Sequence, residues 1–201
     1  MSDLERLRDE CLRCRKCPNI GGRMIEGQFL SNVFSNMNTD ARIMAVGQNP
    51  GRDEVERGEP FVGVSGKFFD EAIAQIGLSR SDFYISNIAR CFTPSNRPPS
   101  REEMDNCRSF LDREIEIVKP KLIVALGSLA FRQLTGMRGI MKRHGKPVFS
   151  IRYNVPILPL LHPSPLNTNV PEKRRMFMEG LSSVKECIDA LDSGRECPRL
   201  G

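Results

Sequence analysis

No run of about 18 consecutive apolar residues, the length that spans a bilayer, occurs anywhere in the chain. The opening MSDLERLRDE carries charges where a secretory signal peptide has its apolar core, so an intracellular location and no membrane partner are expected. The phosphate-cradling pattern G-x-x-x-x-G-K-[ST] is missing too, which ranks a metal-bearing nucleotide-binding protein low among the possible readings. Internal repeats and low-complexity segments are absent. Histidine is scarce: His144 and His162 are the only two.

What is present is enough for one core. A chain of 201 residues, 39% hydrophobic, suits a single domain over 1–201 and is too short for two ordinary ones. A monomer is expected, with a frayed tail at about 193–201. Lysine and arginine exceed aspartate and glutamate by 30 to 25, a formal charge of +5 that is compatible with a polyanionic partner without establishing one.

Short apolar runs alternate with helical periodicity, which reads as α/β. Strands are predicted at Arg42–Gly47, Phe83–Ile88, Lys121–Leu126 and Pro156–Leu161, each rich enough in Ile, Val or Leu to be buried on both faces of a sheet. Helices are predicted at Asp3–Arg13, Ser65–Ile76, Ser100–Val118, Ser128–Leu134 and Lys173–Leu191. The third opens with the capping-box pattern Ser100-Arg101-Glu102-Glu103. The expected architecture is a three-layer α/β/α sandwich around a short, mainly parallel four-stranded sheet, with ligands beyond the carboxyl ends of the strands. Phe29–Ala41, with several Asn and Ser, reads as a surface insertion or mobile loop.

Seven cysteines are many for a reducing compartment, where thiols serve as buried apolar groups, catalysts or metal ligands. Cys14-x-x-Cys17 ends the first helix, and Cys91 and Cys107 flank the passage from the second strand into the next helix. Four thiolates from two distant segments suit either zinc or a 4Fe-4S cluster, and thiol count does not choose between them. Cys11 forms a second C-x-x-C with Cys14. Cys187 and Cys197 have no partner at metal-site spacing and read as incidental thiols.

Two loops after strands carry the chemistry-bearing residues. Gly47-Gln48-Asn49-Pro50-Gly51 and then Glu59-Pro60-Phe61-Val62-Gly63-Val64-Ser65-Gly66 permit close backbone approach to a ligand and lead into a helix N-terminus. The same residues also suit an ordinary Gly-Pro connection. His162-Pro163-Ser164-Pro165-Leu166-Asn167 starts a stiff loop with one of the two histidines, at a presumed strand end.

Taken in order, GQNPG, EPFVGVSG, FYISNIARC, KPKLIVALGSLAFRQLTG and HPSPLN resemble the uracil-DNA glycosylase superfamily, particularly its family 4 enzymes with an iron-sulfur cluster. The resemblance runs from about Cys14 to Asn167. It implies removal of uracil from DNA, with a 4Fe-4S cluster on Cys14, Cys17, Cys91 and Cys107 and zinc as the alternative. It also implies a hydrogen bond from His162 to uracil O2 assisted by amides around Gln48, water positioning by Asn49, stacking on Phe61, and base pairing to Asn87, an amide that is otherwise hard to explain in an apolar strand. Leu166 stands where an apolar wedge fills the vacated stack, beside Ser164 in the loop that enters the minor groove. The basic stretch Arg138–Lys146, with Lys142 and Arg143, is a candidate phosphate contact, and His144 reads as a phosphate neighbour.

The chain departs from typical family 4 members in having Gln48 in place of Glu and Asn49 in place of a small residue, while HPSPLN resembles families 1 and 5. Gly51 replaces the bulky Tyr that excludes the thymine methyl. A binder that traps uracil sites without turnover is the rival reading.

Overall fold

The computed structural model describes residues 1–17, 20, 23–25, 28–30 and 32–198, with backbone alone at 23–25 and 28–30. Two short strands, β1 (Arg23–Ile25) and β2 (Gln28–Leu30), form an antiparallel hairpin separate from the main sheet. The main sheet comprises β3 (Ile43–Gly47), β4 (Phe83–Asn87), β5 (Leu122–Leu126), β6 (Val148–Ser150) and β7 (Val155–Leu160), in the order β4-β3-β5-β7-β6. The four predicted runs are all strands of this sheet, paired in parallel. The expected count of four is corrected to five by β6, which pairs antiparallel with β7 at the edge. Every residue of β3, β4 and β5 is buried. That explains their uninterrupted apolar character, since strands with helices on both faces have no solvated side for polar residues.

The helices are α1 (Asp3–Leu12), α2 (Arg52–Arg57), α3 (Val64–Ala74), α4 (Arg101–Val118), α5 (Ser128–Thr135), α6 (Ile140–Arg143), α7 (Pro165–Thr168) and α8 (Pro171–Asp192). The predicted capping box opens α4: Ser100 Oγ accepts from the Glu103 amide at 3.2 Å and Glu103 Oε2 from the Ser100 amide at 2.7 Å. Its buried Met104, Cys107, Phe110, Leu111, Glu114, Ile115 and Val118 fall at helical spacing and face inward. The connections β3 to β4 and β4 to β5 run in opposite directions along the sheet, so right-handed crossovers place α3 and α4 on opposite faces. α8 packs with α3, and α1 with α4, completing the two outer layers. Among the described residues no helix is long and apolar enough to cross a membrane.

The expected surface loop at 29–41 is corrected as well. Val33 and Phe34 are buried, and the segment runs along the free edge of β4. The Val33 amide donates to the Arg90 carbonyl at 2.8 Å, and Asn36 Oδ1 accepts from the Ile85 amide at 2.8 Å. Asn36 Nδ2 donates to the Phe83 carbonyl at 2.8 Å. The polar residues that suggest a loop thus supply a strand edge with side-chain partners. After Asp192, the Arg195 amide bonds back to Ala190 at 2.9 Å, and Cys197 is joined to Cys187 in a disulfide.

Candidate active site

The carboxyl ends of β3, β4 and β7 deliver Gln48, Asn49, Asn87 and His162 to one cavity of about 490 Å³, whose lining also includes Gly51, Glu54, Phe61, Ser164 and Leu166. Sequence order separates these residues by more than a hundred positions. The strand order brings them together, because β3 and β4 are neighbours and β7 lies one strand beyond β5.

Phe61 is held in the left-handed region at φ 54°, a conformation that costs a non-glycine residue about 1–3 kcal/mol. In return its ring is turned toward Asn87 and His162, with 5.9 Å between the Phe61 and His162 ring centroids. Two glycines make this placement possible. A Cβ on Gly66 would occupy the space of the Phe61 carbonyl, and one on Gly47 would strike Asn87 Oδ1 and the Phe61 ring. Asn87 itself is 1% exposed, and neither its Oδ1 nor its Nδ2 has a protein hydrogen-bond partner. A buried amide in that state is disfavoured unless something else completes it.

His162 borders the cavity but is densely surrounded by protein. Burial pulls its pKa down to about 4, opposed by the nearby Glu54 carboxylate, so the ring is neutral at pH 7. Gln48 Nε2 donates to Asn49 Oδ1 at 3.0 Å, and Asn49 Nδ2 donates to the Pro50 carbonyl at 3.1 Å, which fixes the orientation of the Asn49 amide. Asn167 Nδ2 donates to the His162 carbonyl at 2.9 Å and braces the loop behind the imidazole.

His144 does not face the exterior as a phosphate neighbour would. Its Nδ1 accepts from the Leu161 amide at 3.1 Å, so Nε2 carries the proton and donates to the Met176 carbonyl at 2.6 Å. Burial lowers its pKa, in keeping with that neutral tautomer. It anchors the residue immediately before His162. Sequence alone offers no signal for this role.

At the cavity mouth Ser164 stands immediately before α7, and Leu166 is 85% exposed. Lys142 and Arg143 are exposed on α6 and lie outside the cavity lining.

The cysteines gather behind β4. Cys14 and Cys17 follow α1, Cys91 follows β4, and Cys107 lies on α4; Cys17 and Cys91 share a small apolar cluster with Ile20. Burial raises the thiol pKa of Cys91, and Cys107, Cys17, Cys11 and Cys14 add to it electrostatically. Asn32 stitches the group together: its Nδ2 donates to the Cys11 carbonyl at 2.6 Å, and its Oδ1 lies 3.1 Å from the Cys91 sulfur. Among the described residues no three Cys, His, Asp or Glu side chains converge tightly enough to hold a single metal ion.

Beneath the thiols lies an ion pair that the sequence does not announce. Arg90 and Glu114 are 1% and 0% exposed and are directly paired. Glu114 also accepts from Tyr84 Oη at 2.9 Å and Ser86 Oγ at 2.8 Å. The guanidinium lowers the pKa of Cys107 and Cys11 against the larger raising effect of burial, placing a fixed positive charge beside the thiols.

Known proteins share this arrangement of sequence. The chain is 41% identical over 130 residues to the Type-4 uracil-DNA glycosylase of Archaeoglobus fulgidus, a match covering 65% of this chain and 62% of that protein. It thus spans somewhat less than two thirds of that relative's length. The Type-4 uracil-DNA glycosylase of Thermotoga maritima is 34% identical over 92% of this chain and 94% of its own length. A Type-5 uracil-DNA glycosylase from Pyrobaculum aerophilum is 34% identical over 72% of this chain and 70% of its own. Residues 34–184 match the family described as the uracil DNA glycosylase superfamily, and with three quarters of its length inside that match the chain belongs to this superfamily.

Proposed function

We propose that this protein is a DNA repair glycosylase that hydrolyses the N-glycosidic bond of deoxyuridine in DNA, releasing uracil and leaving an abasic site. The observation that carries the reading is Asn87, a buried amide with both polar atoms free of protein partners, facing an aromatic ring and a neutral imidazole in one cavity. An amide offers one donor and one acceptor side by side, the complement of uracil O4 and N3–H. Phe61 supplies the stacking face. The target nucleotide leaves the duplex at a cost of a few kcal/mol, offset by contacts to the DNA backbone and by Leu166 entering the vacated stack. Ser164, Lys142 and Arg143 are assigned to the phosphates.

Cleavage of the C1′–N1 bond sends the electron pair to the base and leaves cationic character on the sugar. His162, neutral at pH 7, donates a hydrogen bond to uracil O2 as charge develops there, together with backbone amides around Gln48. Asn49, oriented by Gln48, positions the water that adds to C1′, and the water proton passes to solvent.

Cys14, Cys17, Cys91 and Cys107 are assigned to a 4Fe-4S cluster. A zinc ion needs every thiolate about 2.3 Å from one point. Four thiolates suit either centre, so the cluster is chosen on the resemblance to the family 4 enzymes, and Arg90 offsets part of the thiolate charge. When bound, such a cluster would cross-link the segments that carry these residues.

Release of free base from a uracil-containing oligonucleotide by anaerobically purified protein, compared with His162→Ala, tests the reading. Release that falls sharply in the variant supports it. A stable protein–DNA adduct without turnover replaces it with damage trapping.

A further inference from the structure

Two charged side chains outside the predicted set grip the turn that carries Phe61 from opposite sides. Glu54, on α2, lines the cavity and spends its carboxylate on backbone amides: Oε1 accepts from Val62 at 3.0 Å and Gly63 at 2.8 Å, and Oε2 accepts from Gly51 at 2.9 Å. Arg80, before β4, holds the carbonyls of the same turn, with Nη1 donating to Phe61 O at 2.9 Å and Nη2 to Pro60 O, while Asp70 steadies the guanidinium at 3.1 Å. Along Pro60 to Gly63, the first two carbonyls are thus fixed by a cation and the last two amides by an anion. Between the two grips sits Phe61, in a backbone conformation that a phenylalanine does not hold unaided.

We propose that Glu54 and Arg80 are positioning residues, a two-sided clamp that holds Phe61 in its left-handed conformation and locks its loop to the Gln48–Gly51 loop. The proposal rests on the glycosylase reading for its effect on base release, but the clamp itself is a property of the free protein. Neither side chain is assigned a contact with the reacting atoms. Glu54 acts through the backbone of Gly51, Val62 and Gly63, and Arg80 through that of Pro60 and Phe61. The clamp also gives Gly51 a structural reason: a Cβ there would meet Glu54 Oε2 at 2.6 Å, so a larger residue could enter only by displacing the carboxylate.

The test combines single-turnover base release at saturating uracil-DNA with amide hydrogen exchange at Val62 and Gly63 in the free protein, for Glu54→Ala, Glu54→Gln, Arg80→Ala and the double variant Glu54→Ala/Arg80→Ala. Misplacing a group that orients substrate costs about 100-fold in rate. Glu54→Ala is expected to slow release by that order, leave DNA affinity within about threefold, and speed exchange at both amides while the rest of the chain stays protected. Glu54→Gln keeps one oxygen for Val62 and Gly63 but turns an NH₂ toward the Gly51 amide. It should recover exchange protection at 62 and 63 and only part of the rate. Because both residues act on one turn, the double variant should be far less impaired than the product of the single losses. Wild-type release by Glu54→Ala, lost release without faster exchange at 62 and 63, or fully multiplicative losses would each overturn the clamp. If the wild type releases no uracil, the glycosylase reading fails, while the exchange measurements still decide the clamp.

Discussion

Replacing Asn87 by leucine separates what this residue does for the fold from what it does for the substrate. In the free protein the Asn87 amide is buried, with both polar atoms lacking protein partners, and each such group carries a desolvation penalty of about 1–3 kcal/mol. Leucine is of similar size, bears no polar atom, and would lie against the Phe61 ring and the open Cα of Gly47, the two surfaces that crowd the amide. Stability should therefore hold or rise, by about 1–3 kcal/mol at most. For a chain of this length that is an increase of about 2–12 °C in Tm, at about 2–4 °C per kcal/mol. Base release should move the opposite way. Losing both hydrogen bonds to the pairing edge, with the uracil polar atoms then left against an apolar side chain, should slow single-turnover release by at least about 100-fold, near 3 kcal/mol. Thermal unfolding and single-turnover release on the same preparations decide the matter. A Tm lowered by several degrees would make Asn87 a structural residue. Unimpaired release would remove it from base recognition.

Because burial depresses the His162 pKa to about 4, release should show no inflection from this group between about pH 5 and 8, and an inflection near pH 6.5 in a rate profile would mean a solvated ring. The same depression makes the unfolded chain the tighter proton binder between about pH 6.5 and 4, so stability should fall as pH drops through that window, by up to about 3 kcal/mol from His162, measurable by urea titration at both ends. Leu166→Ala, at an exposed position, should leave stability within about 0.5 kcal/mol yet slow release from duplex DNA more than from single strands; equal effects on both would dismiss the wedge. Glu114→Ala strands a buried Arg90 together with Tyr84 and Ser86, and a loss of about 3–5 kcal/mol in chemical denaturation is expected, whereas a loss under 1 kcal/mol would mean the guanidinium finds another partner.

The sequence made some of this legible for physical reasons. Strands such as IMAVG and LIVAL are buried on both faces, so their apolar character is nearly continuous and their limits fall within a residue or so of the predicted ones. The third strand of that kind ends in Asn87, whose amide stands out for the same reason. β6 escaped because a three-residue edge strand with an exposed Phe149 has no such run. Gln48, Asn49, Phe61, Asn87, His162, Ser164 and Leu166 all reach one cavity because they follow or end strands of a single sheet. Glu54, Arg80 and the Arg90–Glu114 pair were not foreseeable: their partners are backbone groups or side chains set by tertiary packing, and a charged residue in sequence looks the same whether solvated or buried.

Asn36 and its neighbours have a consequence of a different kind. A sheet whose outermost strand shows bare amides and carbonyls is a template on which another chain can add, and β4, buried throughout, would be a dangerous one. Asn36 occupies those groups through its backbone amide and both ends of its side chain, with Val33 bonded to Arg90 just beyond the strand, while the opposite border is only the three residues of β6. Resistance to self-association through its sheet is thus built into the part of the chain whose composition most resembles a loop, and Asn36→Ala should be recognised first by aggregation at high concentration rather than by any change in the base pocket.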